Sequence, residues 1–382
     1  MTDISTTAIS TTALPTTALP VSVTPTPPRN IVLCLDGTSN KFAAVNTNVV
    51  KLYAMLDRKR PNQLSYYQPG IGTMAPPGVW GKLKRWFVTR LDLAIAWLLP
   101  EHVTDAYRFL MRYYQEGDRI FIFGFSRGAY TARAVAAMLH KVGLLTQGNE
   151  ELIPFAWDMF KREHDEAVYK GFKKTFSRPA PVYFLGLWDT VSSVGWVPFA
   201  PQHFQYTANN PEVAIVRHAV ALDERRAYFM QNLWGNDPPT DVDQVWFPGV
   251  HCDVGGGYPE NESGLSATAL QWMTGHAEKA GLFLDPAMKA IVLPARTTPD
   301  YVAPFAGDPP HESLTGFWWI PEFIPKTYKD PAANFVKRWM LHMGRPRHVN
   351  DGAKIHTSVF ERMRLVGGYK PKNLPVNYTE VT

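Results

Sequence analysis

The sequence predicts an α/β fold with a mostly parallel central sheet flanked by helices. Two observations carry that expectation. Short apolar runs rich in β-branched residues alternate with helical stretches from residue 30 to about residue 260, the signature of parallel strands joined by helices. The composition also supplies a large core, since 45% of the 382 residues are hydrophobic, only 19% are charged, and there are 12 Trp, 16 Tyr and 21 Phe.

Residues 1–28 form a Thr/Ala/Pro tract whose pentads TTAIS, TTALP and TTALP run from Thr6 to Pro20. Proline and β-branched threonine oppose a helix, and large apolar groups are too few to offset the entropy of ordering, so the tract reads as a disordered tail. Folded structure is expected from residue 29. NIVLCL, Asn30 to Leu35, is a short strand that stops at the turn-prone Asp36-Gly37-Thr38, and Thr47 to Leu56 follows as a helix. Leu64 to Tyr67 makes a weak second strand. RIFIF, Arg119 to Phe123, and Val182 to Leu187 are buried strands, Ala214 to Leu222 fits either class, and Gln244 to Phe247 is a further strand. Trp80, Leu83, Phe87, Leu91, Ala94 and Leu98 recur every three or four residues, an amphipathic helix with Lys82, Arg85 and Thr89 on another face. From Gly316 onward proline and tryptophan break any period, so an irregular, aromatic-rich C-terminal cap is expected. The domain reading is a tail over 1–28, an α/β domain over 29–300 with a helical insertion at 80–115, and a cap over 301–382 packed on the same domain.

Gly124-Phe125-Ser126-Arg127-Gly128 follows the RIFIF strand directly and leads into Ala129 to Leu139, a good helix former. A GxSxG string alone is weak evidence. Strand, tight turn and helix together are the setting of a nucleophile elbow, where glycines two before and two after the serine leave room for a strained turn that lifts Oγ out of the sheet. The fold expectation sharpens to an α/β-hydrolase-like sheet with Ser126 as nucleophile. Free N–H groups at the start of the following helix, Arg127 first, suit a developing oxyanion. A second oxyanion donor should come from the loop after an early strand, which makes Gly37 and Thr38 candidates and gives Asp36 the task of orienting that loop.

A serine needs a base, and the base needs a third group to hold it. Among the 11 histidines, His251 ends the strand-like run Val245 to Val250 and opens the glycine-rich HCDVGGGY, a position at the carboxyl edge of a sheet. Cys252 and Asp253 beside it invite a metal reading, but three successive residues do not converge easily on one ion and no second His or Cys cluster follows. For the acid, Asp189 follows the strand Val182 to Leu187 and is preferred. Asp223, Asp241, Asp243 and Asp253 compete; Asp223 shares a charge cluster with Glu224, Arg225 and Arg226 that reads as a solvated or salt-bridged turn, and Asp241 and Asp243 precede a strand rather than follow one.

The net charge is +5, but it is segregated. Arg29 to Leu99 and Lys326 to Lys370 each carry ten basic and three acidic residues, leaving Pro100 to Pro325 acidic. A general nucleic-acid binder, basic across its contact face, is therefore not favoured, whereas two local basic patches could meet phospholipid headgroups. The two cysteines, Cys34 and Cys252, form neither a disulfide framework nor a zinc motif and suit a reducing compartment. No apolar run approaches the ~18 residues of a membrane span, and no basic, signal-like N-terminus is present, so a cytoplasmic chain is expected.

The segments LCLDGTSN, TNVVKLY, YYQPGIGT, AYRFL with GDRIFIFGFSRGAYTAR, FLGLWDTVSSVG, VWFPGVHCDVGGGY and IHTSVFERM, in that order, resemble the α/β-hydrolase domain of bacterial type VI secretion phospholipase effectors. The same domain occurs in related uncharacterised bacterial and fungal proteins. The resemblance spans Asn30 to Tyr369 and implies phospholipase A chemistry by Ser126, Asp189 and His251, with no cofactor. It also implies delivery by a type VI secretion system, a secretion-apparatus partner and an immunity protein. Ser39 stands where an aromatic is frequent, and the long C-terminal extension of many secreted members is not expected. A membrane substrate would make Trp80, Lys82, Lys84, Arg85, Trp86 and Phe87 candidates for bilayer contact. Two rivals are a soluble carboxylesterase or thioesterase, and a catalytically idle fold that binds membranes or a partner.

Overall fold

Residues 28–37, 45–70, 84–191, 204–235, 240–309, 311–330 and 336–382 are described by the computed structural model, with the backbone alone for 84–98, 317, 326–330, 336–338 and 340. The Thr/Ala/Pro tract to residue 27, Thr38, Trp80 and Lys82 lie outside them. In chain order the first half holds β1 (Asn30–Leu35), α1 (Asn48–Met55), β2 (Gln63–Gln68), α2 (Lys84–Tyr113), β3 (Arg119–Phe125), α3 (Arg127–Val142) and β4 (Leu144–Leu145). Then come α4 (Ile153–Lys161), α5 (Glu166–Phe176), β5 (Ser177–Arg178), β6 (Val182–Trp188), β7 (Val213–Ala221) and β8 (Asp241–Phe247). The C-terminal part adds α6 (His251–Gly255), α7 (Gly264–Lys279), α8 (Pro286–Val292), β9 (Lys326–Asp330), β10 (Val336–Met340), β11 (Ala353–His356), α9 (Thr357–Leu365) and β12 (Tyr378–Val381).

Alternation within the first strand sets the layering. Ile31, Leu33 and Leu35 of β1 enter one core, Val32 and Cys34 the other. β3 divides in the same way, Ile120 and Ile122 against Phe121, Phe123 and Phe125. Strands buried on both faces must be apolar throughout, which is why both read as continuous apolar runs and why the sheet is parallel and covered by helices. The first core is filled by α2, α3, α4 and α5, through residues such as Tyr107, Met138, Phe160 and Phe172. The second is filled by α1, α7 and α8, through Leu52, Leu270, Met273 and Val292. Each such side chain contributes about 1.5–3 kcal/mol by leaving water, so the two cores hold the three layers together.

The strands order as β12-β11-β8-β7-β6-β3-β1-β2, and every neighbouring pair is parallel. β2 lies on one side of β1 and β3 on the other, so the strand order reverses between β1 and β3. At such a switch point the loops leaving the carboxyl ends diverge and open a crevice. The loops opening there are Asp36-Gly37 and the elbow at Ser126.

Three expectations are refined by the coordinates. The segment that fitted either class is a strand, β7, paired on both sides. β8 starts at Asp241 rather than Gln244, because Arg217 lies opposite Asp243 in the register and its guanidinium meets Asp241 at 2.8 Å, so two carboxylates open a strand without standing uncompensated. The amphipathic helix is the start of a 30-residue α2 with Pro100 inside it, and beyond that proline Val103, Tyr107, Leu110 and Met111 are buried in the first core. The aromatic 3₁₀ stretch Gly316–Phe323 and the two-stranded β9–β10 ribbon occupy the expected cap. Beyond them order resumes, and β11 and β12 extend the central sheet next to β8.

Candidate active site

The elbow is built by close approach. A Cβ at Gly124 would stand 2.5 Å from the Gly128 carbonyl oxygen, and one at Gly128 would stand 2.2 Å from that of Leu35 and 2.5 Å from that of Asp36. Only glycine fits where two backbones touch, so the GxSxG spacing is required by this geometry. Ser126 then takes φ 58° and ψ −120°, a strained conformation for a residue with a side chain, and its N–H is held by the Trp188 carbonyl at 3.0 Å. The turn points Oγ toward His251, and Ser126 is 5% exposed.

His251 opens α6, a single short helix where the sequence suggested a glycine loop. The glycines serve packing instead. A Cβ at Gly255 would lie 1.9 Å from the Phe125 ring, and Gly256 at φ 80° abuts the start of α1. His251 Nε2 lies 2.8 Å from Ser126 Oγ, and Nδ1 lies 2.5 Å from Asp189 Oδ2. The carboxylate selects the tautomer: Nδ1–H donates to Asp189, which leaves Nε2 to accept from the serine hydroxyl. The rings of Phe125 and Phe229 flank the imidazole, with centroids at 4.6 and 4.7 Å. Burial pushes the His251 pKa down, against the upward pull of Asp189.

Asp189 directly follows β6 with φ 38°, a second strained non-glycine residue at this edge. Burial alone would raise its pKa, but the charge of Arg347 and the bond and charge of His251 outweigh it and hold the carboxyl well below the usual range. The competing acids stand elsewhere. Asp223 accepts from Gly249 N at 2.6 Å and from the Tyr369 hydroxyl at 2.8 Å, fastening the turn after β8. Asp253 accepts from Val250 N and from His311 Nδ1, the latter at 2.6 Å, so it braces the His251 turn from below. Asp241 and Asp243 sit at the opposite end of the sheet.

The loop after β1 lies against the elbow through the Gly128 contact. Asp36 accepts from Gly37 N at 2.7 Å, from Thr47 Oγ1 at 2.9 Å and from the Tyr67 hydroxyl at 2.9 Å, so its carboxylate ties that loop to α1 and β2. Gly37 N–H is thus committed to Asp36, Arg127 N–H is in the first turn of α3 directly after the nucleophile position, and Thr38 lies outside the described residues.

Of two charged elements of the site, one had no local sign in the sequence and the other was read as a solvated or salt-bridged turn. Arg347, 1% exposed, sends Nη1 to Asp189 Oδ1 at 2.6 Å and Nη2 to Oδ2 at 2.9 Å. It comes from the stretch that reads as irregular cap, with no motif around it. Glu224 and Arg226 form a buried, two-pronged pair at 2.9 and 2.8 Å, not a solvated one, and Glu224 also accepts from the His251 backbone N–H at 3.2 Å. Burial works against that carboxylate, yet the Arg226 bonds and charge bring its pKa down to about 2.

A parallel sheet whose carboxyl edge carries a serine on a strand-to-helix elbow, with a histidine and an acid from later strands, defines an α/β-hydrolase-like protein. The chain belongs to the type VI secretion Tle1-like phospholipase effector family, whose catalytic-domain model matches residues 29–276. It is 40% identical over 221 residues to the uncharacterized protein YEL023C of Saccharomyces cerevisiae, an alignment covering 53% of this chain and 32% of that protein. Two solved structures are similar: an uncharacterized protein from Pseudomonas aeruginosa, and the Tle1 effector bound to the VgrG spike of the type 6 secretion system. The first is 22% identical with a TM-score of 0.41, covering 69% of this chain and 48% of that one. The second is 21% identical with a TM-score of 0.36, covering 62% and 52%. This chain therefore spans about a third to a half of the length of these relatives.

Proposed function

We propose that this protein is a serine ester hydrolase that cleaves acyl esters of phospholipids. The observation that carries the reading is the Ser126–His251–Asp189 line, with 2.8 and 2.5 Å links at the carboxyl edge of the sheet. His251 Nε2 takes the proton as Ser126 Oγ attacks the ester carbonyl, and Asp189 stabilises the imidazolium that forms. Arg127 N–H would receive the oxyanion, with Thr38 N–H as the second donor of the proposal. The imidazolium then protonates the leaving alcohol, and water, activated by the same histidine, releases the fatty acid from Ser126.

Membership of a phospholipase family supports the lipid substrate, and so does the surface beside the site. Trp318 packs edge-on against Phe229, which lies over His251. Next to Trp318, Ile320, Phe323, Leu341 and Met343 are exposed, and Trp339 is 73% exposed. Glu322 locks this stretch together, accepting from Gly344 N at 2.9 Å and His342 Nδ1 at 2.8 Å. The ribbon beside it carries Lys326, Lys329, Lys337 and Arg338 in its sequence. Exposed apolar side chains on a stretch that packs on Phe229, with basic residues in the adjoining sequence, suit an anionic bilayer surface. The contact proposed for Lys84, Arg85, Trp86 and Phe87 concerns side chains outside those described.

Delivery through a type VI apparatus, with an immunity protein in the producing cell, is the finer part of the proposal and rests on the family alone. The 40% identity to a yeast protein favours a second reading, in which the same hydrolysis serves the cell that makes the enzyme. The test of the chemistry is a lipid-panel assay on wild type beside Ser126→Ala. Wild type should release fatty acid and take up a fluorophosphonate on Ser126; the alanine variant should do neither while keeping its circular dichroism. Full hydrolysis by the variant would sink the assignment.

A further inference from the structure

The guanidinium of Arg347 uses every donor it has. Nη1 reaches Asp189 Oδ1 and the Ala221 carbonyl at 2.9 Å, Nη2 reaches Asp189 Oδ2 and the Phe229 carbonyl, and Nε reaches that same carbonyl at 3.1 Å. Asp189 is filled in turn: Oδ1 accepts from Arg347 and Ala221 N at 2.9 Å, Oδ2 from Arg347 and His251. Neither group can rotate without breaking several bonds. In a plain Ser-His-Asp arrangement the acid's charge is free to act on the imidazole alone; here a cation shares it.

We propose that Arg347 is a positioning residue of the triad, fixing the plane of the Asp189 carboxylate for His251 and cancelling part of its charge. The inference rests on the serine-hydrolase reading above. The charged groups around His251 are the carboxylates of Asp189 and Glu224 and the guanidiniums of Arg347 and Arg226. On α6 itself, Asp253 is paired with His311 Nδ1 at 2.6 Å. Burial first, then the charge of Arg133, takes His218 down to about 3, and burial pushes the Cys252 thiol up to about 12. Two negative charges face two positive ones, each carboxylate paired with its own arginine. Removing Arg347 leaves Asp189 uncompensated, which favours protonated His251 and should close the site at a higher pH. The fork has a separate effect: without it the carboxylate can turn away from Nδ1, and turnover falls.

The two effects come apart in Arg347→Met and Arg347→Lys, read as kcat and kcat/KM against pH on a short soluble ester. Fluorophosphonate labelling rates over the same pH range serve as a second readout. Arg347→Met should move the acid limb up by about one pH unit and lower kcat by about 10- to 100-fold. Arg347→Lys, which keeps the charge but not the fork, should lose kcat with its limb close to wild type. An unmoved limb in a folded Arg347→Met, with loss uniform across pH, overturns the proposal and leaves a structural role only. If Arg347→Met fails to fold, Arg347→Lys decides alone: kcat reduced tenfold or more with the limb in place supports it, unchanged kcat overturns it. Failure of the parent reading is separable, because wild type would then not label at Ser126 at any pH.

Discussion

Asp189 and Asp223 both stand at the carboxyl edge of the sheet, and their hydrogen bonds separate them. Asp189 meets the histidine; Asp223 meets a backbone N–H and a tyrosine. Asp189→Asn should therefore lower kcat by about 10⁴-fold, since an amide no longer enforces the required tautomer. Asp223→Asn should leave turnover within a few-fold of wild type, because its work is to hold the turn after β8. Swapped outcomes in an ester-hydrolysis assay would reassign the acid. At this scale Ser126 and His251 were legible, because a strained turn needs glycines at fixed offsets and a histidine at a strand end shows in the pattern. Arg347 and the burial of the Glu224–Arg226 pair were not. An ion pair is decided by which distant segment returns to cover it, and a string of residues carries no trace of that return.

At the scale of elements, strands buried on both faces announced themselves, while β7 and the start of β8 did not. Their Arg217, Asp241 and Asp243 look foreign to a strand until the register brings them together. Two elements compete for the proposed bilayer contact: the start of α2 and the cap. Replacing Trp339 and Phe323 by serine should lower hydrolysis of anionic liposomes by roughly a hundredfold or more while sparing a short soluble ester, since each exposed side chain would otherwise gain about 1.5–3 kcal/mol on entering apolar surroundings. Lys82→Glu, Lys84→Glu, Arg85→Glu should weaken vesicle binding by about a hundredfold, at about 1 kcal/mol per basic residue near an anionic surface. Equal loss on lipid and soluble ester in either variant would point to misfolding, and no loss on either would remove that element from lipid contact.

For the whole molecule, no helix among the described residues is long and apolar enough to cross a membrane. We propose that the α/β domain and the cap are one folding unit. β11 pairs with β8, and Val349, Ile355 and Val359 cover Val220, Leu222 and Trp246 in a third core. A chain ended at residue 300 should be insoluble, or bind ANS and melt without cooperativity. Uncovering that cluster costs on the order of 10 kcal/mol at about 1.5–3 kcal/mol per side chain, as much as a whole domain's stability. The alternation of strands and helices from residue 30 to about residue 260 was readable in outline because each unit closes locally; the return of the chain to the sheet's far edge was not, because its partners are more than a hundred residues away. The family's catalytic-domain model matches residues 29–276, and the arginine on the proposed catalytic acid lies beyond it. On the proposal made for Arg347, a relative that kept the trio but exchanged this counter-charge would keep the chemistry and shift the acidity at which it works.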